Sequence, residues 1–174
     1  MGVVNILVPY TQRHPKTEAG VPEDATWAYV GDDDHAYWRL LCEWWERGES
    51  FLVVEHDVIC RPDIIESVET CPEPWCCYGY DDICCPGCMD AWANTLGCTR
   101  FRAELIVAVP DAVSSIKRPE HLIWTNVCDG IGTNLRAVGF THHWHFPAVY
   151  HHHMDRAGSR AFGPENRVTA TTGA

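Results

Sequence analysis

The chain has 174 residues, 46% hydrophobic and 21% charged, which suits one folded domain and excludes disorder throughout. Its 13 basic and 24 acidic residues give a net charge of −11, which argues against holding a polyanion through a general electrostatic field. No apolar run approaches the ~20 residues that a membrane span needs, and residues 1–8 lack the basic start of a signal peptide. We therefore expect a soluble cytoplasmic protein without a membrane partner.

The first half of the chain predicts strands and helices in alternation. Residues 3–10 form an apolar, β-branched run that is typical of a buried strand, and the polar residues 11–34 predict a long loop. Residues 35–47 have a helical period that stops at Gly48. A second strand is predicted at residues 51–54, and a short helix from Pro62 to about Thr70.

The second half predicts a third strand at residues 75–80, an apolar segment at 102–109 that could be strand or helix, and a helix over 119–138. Residues 143–153 alternate and end in a histidine cluster. This order predicts an α/β protein with a mixed central sheet flanked by helices. We expect a single domain over residues 1–155 and a flexible C-terminal tail over residues 156–174.

An acid-x-acid segment, Glu55-His56-Asp57, follows the predicted strand 51–54 directly. If it is extended, the two carboxylates point the same way, and the carboxyl end of a strand is where open α/β sheets place ligands. Such a pair could hold a hard divalent cation, although a solvated acidic loop has the same sequence.

Three further patterns have two interpretations each. The histidines of residues 142–153 could complete a carboxylate metal site or form a surface run, and those at 143, 145, 151 and 153 share one face of an extended segment. Asp129 could cap a helix or accept a proton as a general base. Arg13, just after the first strand, could grip a phosphate or remain solvated.

Seven of the ten cysteines lie between residues 71 and 98. Without an export signal, free buried thiols or a structural zinc site are better explanations than disulfides. The spacing of Cys85 and Cys88 provides half of a thiolate knuckle, which Cys98 together with Cys76 or Cys77 could complete as a Zn²⁺ site.

The order of these motifs resembles the GT-A nucleotide-sugar glycosyltransferases, and among them the inverting β-1,4-galactosyltransferase type. The segments that carry the resemblance are, in chain order, Val8-Pro9-Tyr10-Thr11-Gln12-Arg13, Glu55-His56-Asp57-Val58-Ile59, Leu96-Gly97-Cys98-Thr99, Trp124 with Cys128-Asp129, and the histidines at 151 and 153. The resemblance implies a GT-A-like, Rossmann-like fold and transfer of a sugar from a nucleotide diphosphate, expected to be UDP, to an acceptor hydroxyl.

The resemblance also implies the role of each site residue. Asp129 is the implied catalytic base, and Asp57 with His151 or His153 the implied ligands of Mn²⁺ or Mg²⁺. The residues implied to bind the nucleotide or donor sugar are Pro9, Tyr10, Thr11, Arg13, Glu55, Gly97 and Trp124.

Two positions depart from the family pattern: Glu55 stands where an Asp is usual, and Cys128 replaces a Glu that orients the acceptor. The acceptor therefore stays open between a small molecule, a glycan and a hydroxylated base in DNA. Two other functions compete. One is nucleotidyl transfer, disfavoured because residues 9–13 contain no glycine, and the other is a non-enzymatic zinc-binding interaction module.

Overall fold

The computed structural model describes residues 4–31, 33, 35–80, 96–117, 124–151, 153–154 and 160–162. The helices are α1 (Pro15–Gly20), α2 (Ala36–Glu46), α3 (Pro62–Thr70), α4 (Ala103–Ala108) and α5 (Trp124–Ala137). The strands are β1 (Asn5–Tyr10), β2 (Thr26–Tyr29), β3 (Phe51–Val54), β4 (Val58–Ile59), β5 (Trp75–Tyr80), β6 (Cys98–Phe101), β7 (His143–His151), β8 (His153–Met154) and β9 (Arg160–Phe162).

Within the described residues, seven strands form one sheet in the order β2-β1-β3-β6-β5-β7-β4. Strands β1, β2 and β3 are parallel, β6 is antiparallel to both β3 and β5, β7 is parallel to β5, and β4 is antiparallel to β7. The chain is therefore an α/β protein with a mixed sheet flanked by helices, as the sequence predicts.

The sheet is covered on both faces, which explains why all four residues of β3 are buried. Phe51 and Val53 join the core under α2, α4 and α5, where Trp45 packs on Phe51 and Phe101. Leu52 and Val54 belong to the opposite core, which α3 covers. Apolar packing on both faces thus fixes β3, the strand that precedes the acidic segment.

Strand β1 is a point at which the chain changes direction across the sheet. Strand β2 follows it through α1 and pairs on one side, and β3 follows β2 through α2 and pairs on the other side. These two crossovers run in opposite directions across the sheet, and in open α/β sheets ligands bind at the carboxyl ends of the strands where such a change of direction occurs.

The predicted loop over residues 11–34 is wrong, because this stretch contains both α1 and β2. Helix α1 buries only Thr17, so it has no apolar period to reveal it, and it is begun instead by Pro15 and a hydrogen bond from the Lys16 amide to the His14 ring. Strand β2 is a half-exposed edge strand of four residues.

The sequence also gave no separate prediction for the short strands β4 and β6, and the ambiguous segment 102–109 contains helix α4. The cysteine-rich residues 81–95 and the segments 155–159 and 163–174 lie outside the described residues. Within the predicted tail, β9 pairs with β8. None of the helices in the described ranges has both the length and the apolar character of a membrane span.

Candidate functional site

The carboxyl ends of β1 and β3 meet at one edge of the sheet. Leu7 of β1 pairs with Val53 of β3, so that Tyr10 and Thr11 at the end of one strand lie beside the acidic segment that follows the other. The Thr11 hydroxyl and His56 Nε2 are 3.5 Å apart and link the two segments. Residues 10–11 and 55–57 are thus brought together from positions more than 40 residues apart in sequence.

The acidic segment is a turn rather than an extension of β3. The Val58 amide donates to the Glu55 carbonyl at 3.0 Å, and the chain then reverses into β4. The expectation that the segment is extended is therefore wrong, and the expected common direction of the Glu55 and Asp57 carboxylates loses its basis. Glu55 is buried whereas Asp57 is partly exposed, so the two carboxylates have different surroundings.

Glu55 is buried at 6% exposure against helix α2. The Tyr37 hydroxyl donates a hydrogen bond of 3.0 Å to its Oε1, and burial together with this carboxylate raises the pKa of Tyr37 well above its usual value. Tyr37 therefore keeps its proton and fixes the orientation of Glu55, since a hydrogen bond to a charged acceptor is among the stronger ones.

Helix α5 and the segment before β6 complete the surroundings of Glu55. The Glu55 amide donates to the Gly97 carbonyl at 3.0 Å. Cys128 of α5 is buried, and the pKa of its thiol is raised well above the usual value by burial and by the Glu55 carboxylate nearby, although the Leu96 amide donates to its sulfur. Three segments of the predicted site, around residues 55, 97 and 128, therefore pack together.

Asp129 lies on the exposed side of α5, next to Cys128. It is the sixth residue of the helix, whose first residue is Trp124, so the interpretation of Asp129 as an N-cap is wrong. Its carboxylate is one of the negative charges that act on the Cys128 thiol.

Arg13 lies at the outer rim of this edge. Its guanidinium lies over the rings of Tyr10 and Trp27, at 5.0 and 4.7 Å from their centroids, and 3.3 Å from Glu18. The side chain remains 47% exposed. Stacking restricts the guanidinium to one region while leaving it accessible, an arrangement that suits a planar group for recognising phosphate.

The C-terminal end of strand β7 reaches the same edge of the sheet. Val58 of β4, the residue after Asp57, pairs with His151 at the end of β7. The backbone thus places His151 on the strand adjacent to the Asp57 turn. His153 follows in β8, and His152 lies outside the described residues.

The predicted zinc set lies only in part within the described chain, since Cys85 and Cys88 fall in residues 81–95. Cys76 and Cys98 lie on the neighbouring strands β5 and β6, and both are buried. Each thiol has different neighbours: Cys98 interacts with Cys60, whereas Cys76 donates a hydrogen bond to the Val68 carbonyl at 3.9 Å and interacts with Cys71. Burial raises the pKa of Cys76 to about 12, and the interaction with the Cys60 thiol, followed by burial, raises the pKa of Cys98 well above its usual value, so without a metal both are protonated thiols.

A different metal-binding cluster lies at the other end of β7. Cys71, His143 and His145 each offer one ligand atom, and these atoms lie within 4.8 Å of one another. The sequence pattern predicted that the two histidines share a face. It gave no reason to add Cys71, which follows α3 and reaches them only because β5 pairs with β7, with Cys76 opposite His143.

Comparison with protein-family models, curated proteins and solved structures gave no match to this chain.

Proposed function

We propose that the protein is a metal-dependent inverting glycosyltransferase that moves a sugar from a nucleotide-diphosphate donor to an acceptor hydroxyl. The observation that carries this proposal is the meeting of the Thr11 and Glu55–Asp57 segments at the carboxyl edge of β1 and β3, where the chain changes direction across the sheet. The motif order that resembles GT-A enzymes agrees with this position, since a donor site is expected there.

The donor atoms at this edge fit Mn²⁺ or Mg²⁺. Asp57 supplies a partly buried carboxylate, and the pairing of Val58 with His151 brings an imidazole-bearing strand beside it. Carboxylate oxygens suit hard divalent ions, and one histidine is compatible with such a set. When bound there, the cation would neutralise charge that develops on the departing diphosphate.

The residues at the end of β1 are proposed to hold the nucleotide. Tyr10 and Trp27 present aromatic rings in an edge-to-face pair 5.8 Å apart, with the Arg13 guanidinium over both. A charged planar group at an accessible rim suits a diphosphate. Pro9 and Thr11 flank this pair in sequence, and Gly97 and Trp124 are assigned to the donor sugar on the resemblance.

Asp129 is proposed to accept the proton of the acceptor hydroxyl. In the implied step the acceptor oxygen attacks the anomeric carbon, the bond from that carbon to the diphosphate oxygen breaks, and the hydroxyl proton passes to the Asp129 carboxylate. The exposed side of α5 leaves Asp129 accessible to an acceptor, while buried Cys128 anchors the same turn of the helix beside Glu55.

The proposal is tested by thermal shift and calorimetry with nucleoside diphosphates, with and without Mn²⁺. We expect UDP with Mn²⁺ to raise the melting temperature, by about 5–10 °C at ligand near 100 times Kd, because binding to the native state adds about 2.7 kcal/mol. Asp57→Ala should abolish both this Mn²⁺-dependent binding and sugar transfer.

The matched control is Asp63→Ala, which removes an exposed carboxylate from the first turn of α3 that pairs with Arg61 at 2.8 Å. This variant should bind UDP as the wild type does. Wild-type, Mn²⁺-dependent UDP affinity in Asp57→Ala would contradict the proposed site, and the absence of binding for every nucleoside diphosphate would contradict the proposed function.

A further inference from the structure

The cluster at the beginning of β7 has dimensions close to those of a zinc site. In a tetrahedral site with Zn–S near 2.3 Å and Zn–N near 2.1 Å, neighbouring ligand atoms lie about 3.4–3.8 Å apart. The Cys71, His143 and His145 ligand atoms lie within 4.8 Å of one another, so shifts of about 1 Å would bring them around one ion. Thiolate and imidazole ligands together favour Zn²⁺ over Mn²⁺ or Mg²⁺.

Cys76 is the candidate for a fourth ligand. Its thiol donates a hydrogen bond to the Val68 carbonyl at 3.9 Å and interacts with the Cys71 thiol, and its backbone pairs directly with His143 in the parallel β5–β7 ladder. Strand geometry therefore places Cys76 and His143 on the same face of the sheet. The Cys76 sulfur is not one of the ligand atoms that lie within 4.8 Å of one another, so it would have to move toward the ion. Structural zinc sites are almost always closed by four protein ligands, and Cys₂His₂ is a common set.

The buried charge of Arg100 favours two thiolates over one. Arg100 is 1% exposed, its guanidinium donates to the carbonyls of Glu69, Cys71 and Glu73, and it also contacts the Cys76 thiol. Two thiolates balance the charge of Zn²⁺, so the metal site adds no net positive charge beside this guanidinium. The same three hydrogen bonds fix the backbone on either side of Cys71.

The ring of His145 is held by stacking, and one of its nitrogens is buried. Its ring stacks on Tyr78 at 5.1 Å between centroids, and the Tyr78 hydroxyl is held by Ser67 at 2.7 Å. Its Nε2 is buried and, in the part of the chain that the structure describes, makes no hydrogen bond. A buried imidazole nitrogen without a partner is costly, and coordination to a metal would satisfy it.

We propose that Cys71, Cys76, His143 and His145 bind one structural Zn²⁺ ion. The ion joins the C-terminal end of α3 to the beginning of β7, two parts of the chain separated by more than 70 residues. This site differs from the Cys76, Cys85, Cys88 and Cys98 set that the sequence suggested, and it does not depend on the proposed glycosyltransferase activity.

The proposal is tested on the full chain, purified under reducing conditions, stripped of metal and titrated with Co²⁺ and then Zn²⁺ in the absence of nucleotide. We expect one Co²⁺ per chain with a thiolate-to-cobalt charge-transfer band, displaced by one Zn²⁺. His143→Asn should weaken Zn²⁺ binding by about 10²-fold or more, because removing even the groups that support a ligand costs 10–100-fold. The His143 side chain is exposed, so this variant should fold.

Two neighbouring residues give matched controls. His142 packs on Trp75 and Trp144 outside the cluster, and Cys77 lies on the opposite face of β5 from Cys76. His142→Asn and Cys77→Ser should keep wild-type Zn²⁺ affinity. Asp57→Ala should also keep wild-type Zn²⁺ affinity, which distinguishes the zinc site from the proposed donor-sugar site.

Cys76→Ser tests the fourth ligand separately and should reduce the charge-transfer intensity to about half, because one of two thiolates is lost. Unchanged intensity would overturn the assignment of Cys76. Wild-type affinity and spectrum in a Cys71→Ser/His143→Asn double variant would overturn the site, as would failure of the wild-type chain to bind Co²⁺ or Zn²⁺.

Discussion

The two ends of strand β7 differ in chemistry. At its C-terminal end, the backbone of His151 pairs with Val58, the residue after Asp57. At its N-terminal end, about 26 Å away for eight residues of strand, His143 and His145 face Cys71. Hard oxygen donors thus lie at the edge where α/β sheets bind ligands, and softer sulfur and nitrogen donors lie at the opposite edge.

The difference suggests a division between function and stability. The candidate metal ligands at the C-terminal end lie on a turn after β3. This turn remains partly exposed, as a site that exchanges substrate requires. The set at the N-terminal end is held by a buried arginine and by residues of a helix and two strands. Four predictions test whether each end has only the role assigned to it.

The largest effect is expected from Asp129→Asn. The amide cannot accept a proton, so we expect turnover to fall about 10²–10⁴-fold, with UDP affinity and melting temperature little changed because the side chain is exposed within α5. The measurement is sugar transfer to acceptors identified from small alcohols, glycans and DNA with hydroxylated bases.

Glu104→Gln is the control for this substitution. Glu104 follows β6, whose last residue Phe101 pairs with Phe51 at the beginning of β3, so it lies at the opposite edge from the proposed donor site. Its loss should leave transfer unchanged. A near wild-type rate for Asp129→Asn would exclude Asp129 as the base and direct the search to Asp111.

Removal of zinc should affect stability alone. At free Zn²⁺ near 100 times Kd, the ion adds about 2.7 kcal/mol, so stripping it should lower the melting temperature by roughly 5–10 °C. Mn²⁺-dependent UDP affinity, measured after Zn²⁺ removal and addition of Mn²⁺, should not change. A melting temperature that is the same with and without Zn²⁺ would contradict a structural role.

Substitution of the histidines at the C-terminal end of β7 should affect Mn²⁺ binding and not Zn²⁺ binding. We expect either His151→Asn or His153→Asn to weaken Mn²⁺-dependent UDP binding at least about tenfold while Zn²⁺ content stays the same. His152→Asn is the control, because the sequence pattern predicts that His152 faces away from His151 and His153 if the segment is extended. Calorimetry in which none of the three variants differs from the wild type would remove histidine from the proposed Mn²⁺ site.

The smallest effect is expected from removing one hydroxyl at each end. Tyr37→Phe removes one hydrogen-bond donor from the buried Glu55 carboxylate, which should cost about 1–3 kcal/mol, whereas Tyr78→Phe loses a neutral hydrogen bond to Ser67 and should cost about 0.5–1.5 kcal/mol. Urea unfolding measures both. Equal costs would mean that the Glu55 carboxylate finds a replacement partner.

The sequence predicted the site near Glu55 and Asp57 better than the cluster around Cys71, because the patterns that mark the first site are local in sequence. Glu55 and Asp57 directly follow an apolar strand, and α3 and β5 have the predicted bounds because Pro62 and the apolar run at 75–80 mark them. The turn at residues 55–58 was missed, since nothing in the tripeptide distinguishes a turn from an extension. Cys71 and His143 share a site only through strand pairing, which no local pattern encodes.

Gly20 allows a close backbone contact that sets the distance between the segments that carry Arg13 and Asp57 in the proposed donor-sugar site. A Cβ at this position would lie 2.1 Å from the Cys60 carbonyl oxygen, so the end of α1 rests against the backbone just after β4. The segment that carries Arg13 leads into α1, and the Asp57 turn leads into β4. Because this contact is between backbone groups, it does not change when side chains change rotamer. The distance between the segments that carry Arg13 and Asp57 should therefore be unaffected by side-chain motion and by most substitutions nearby.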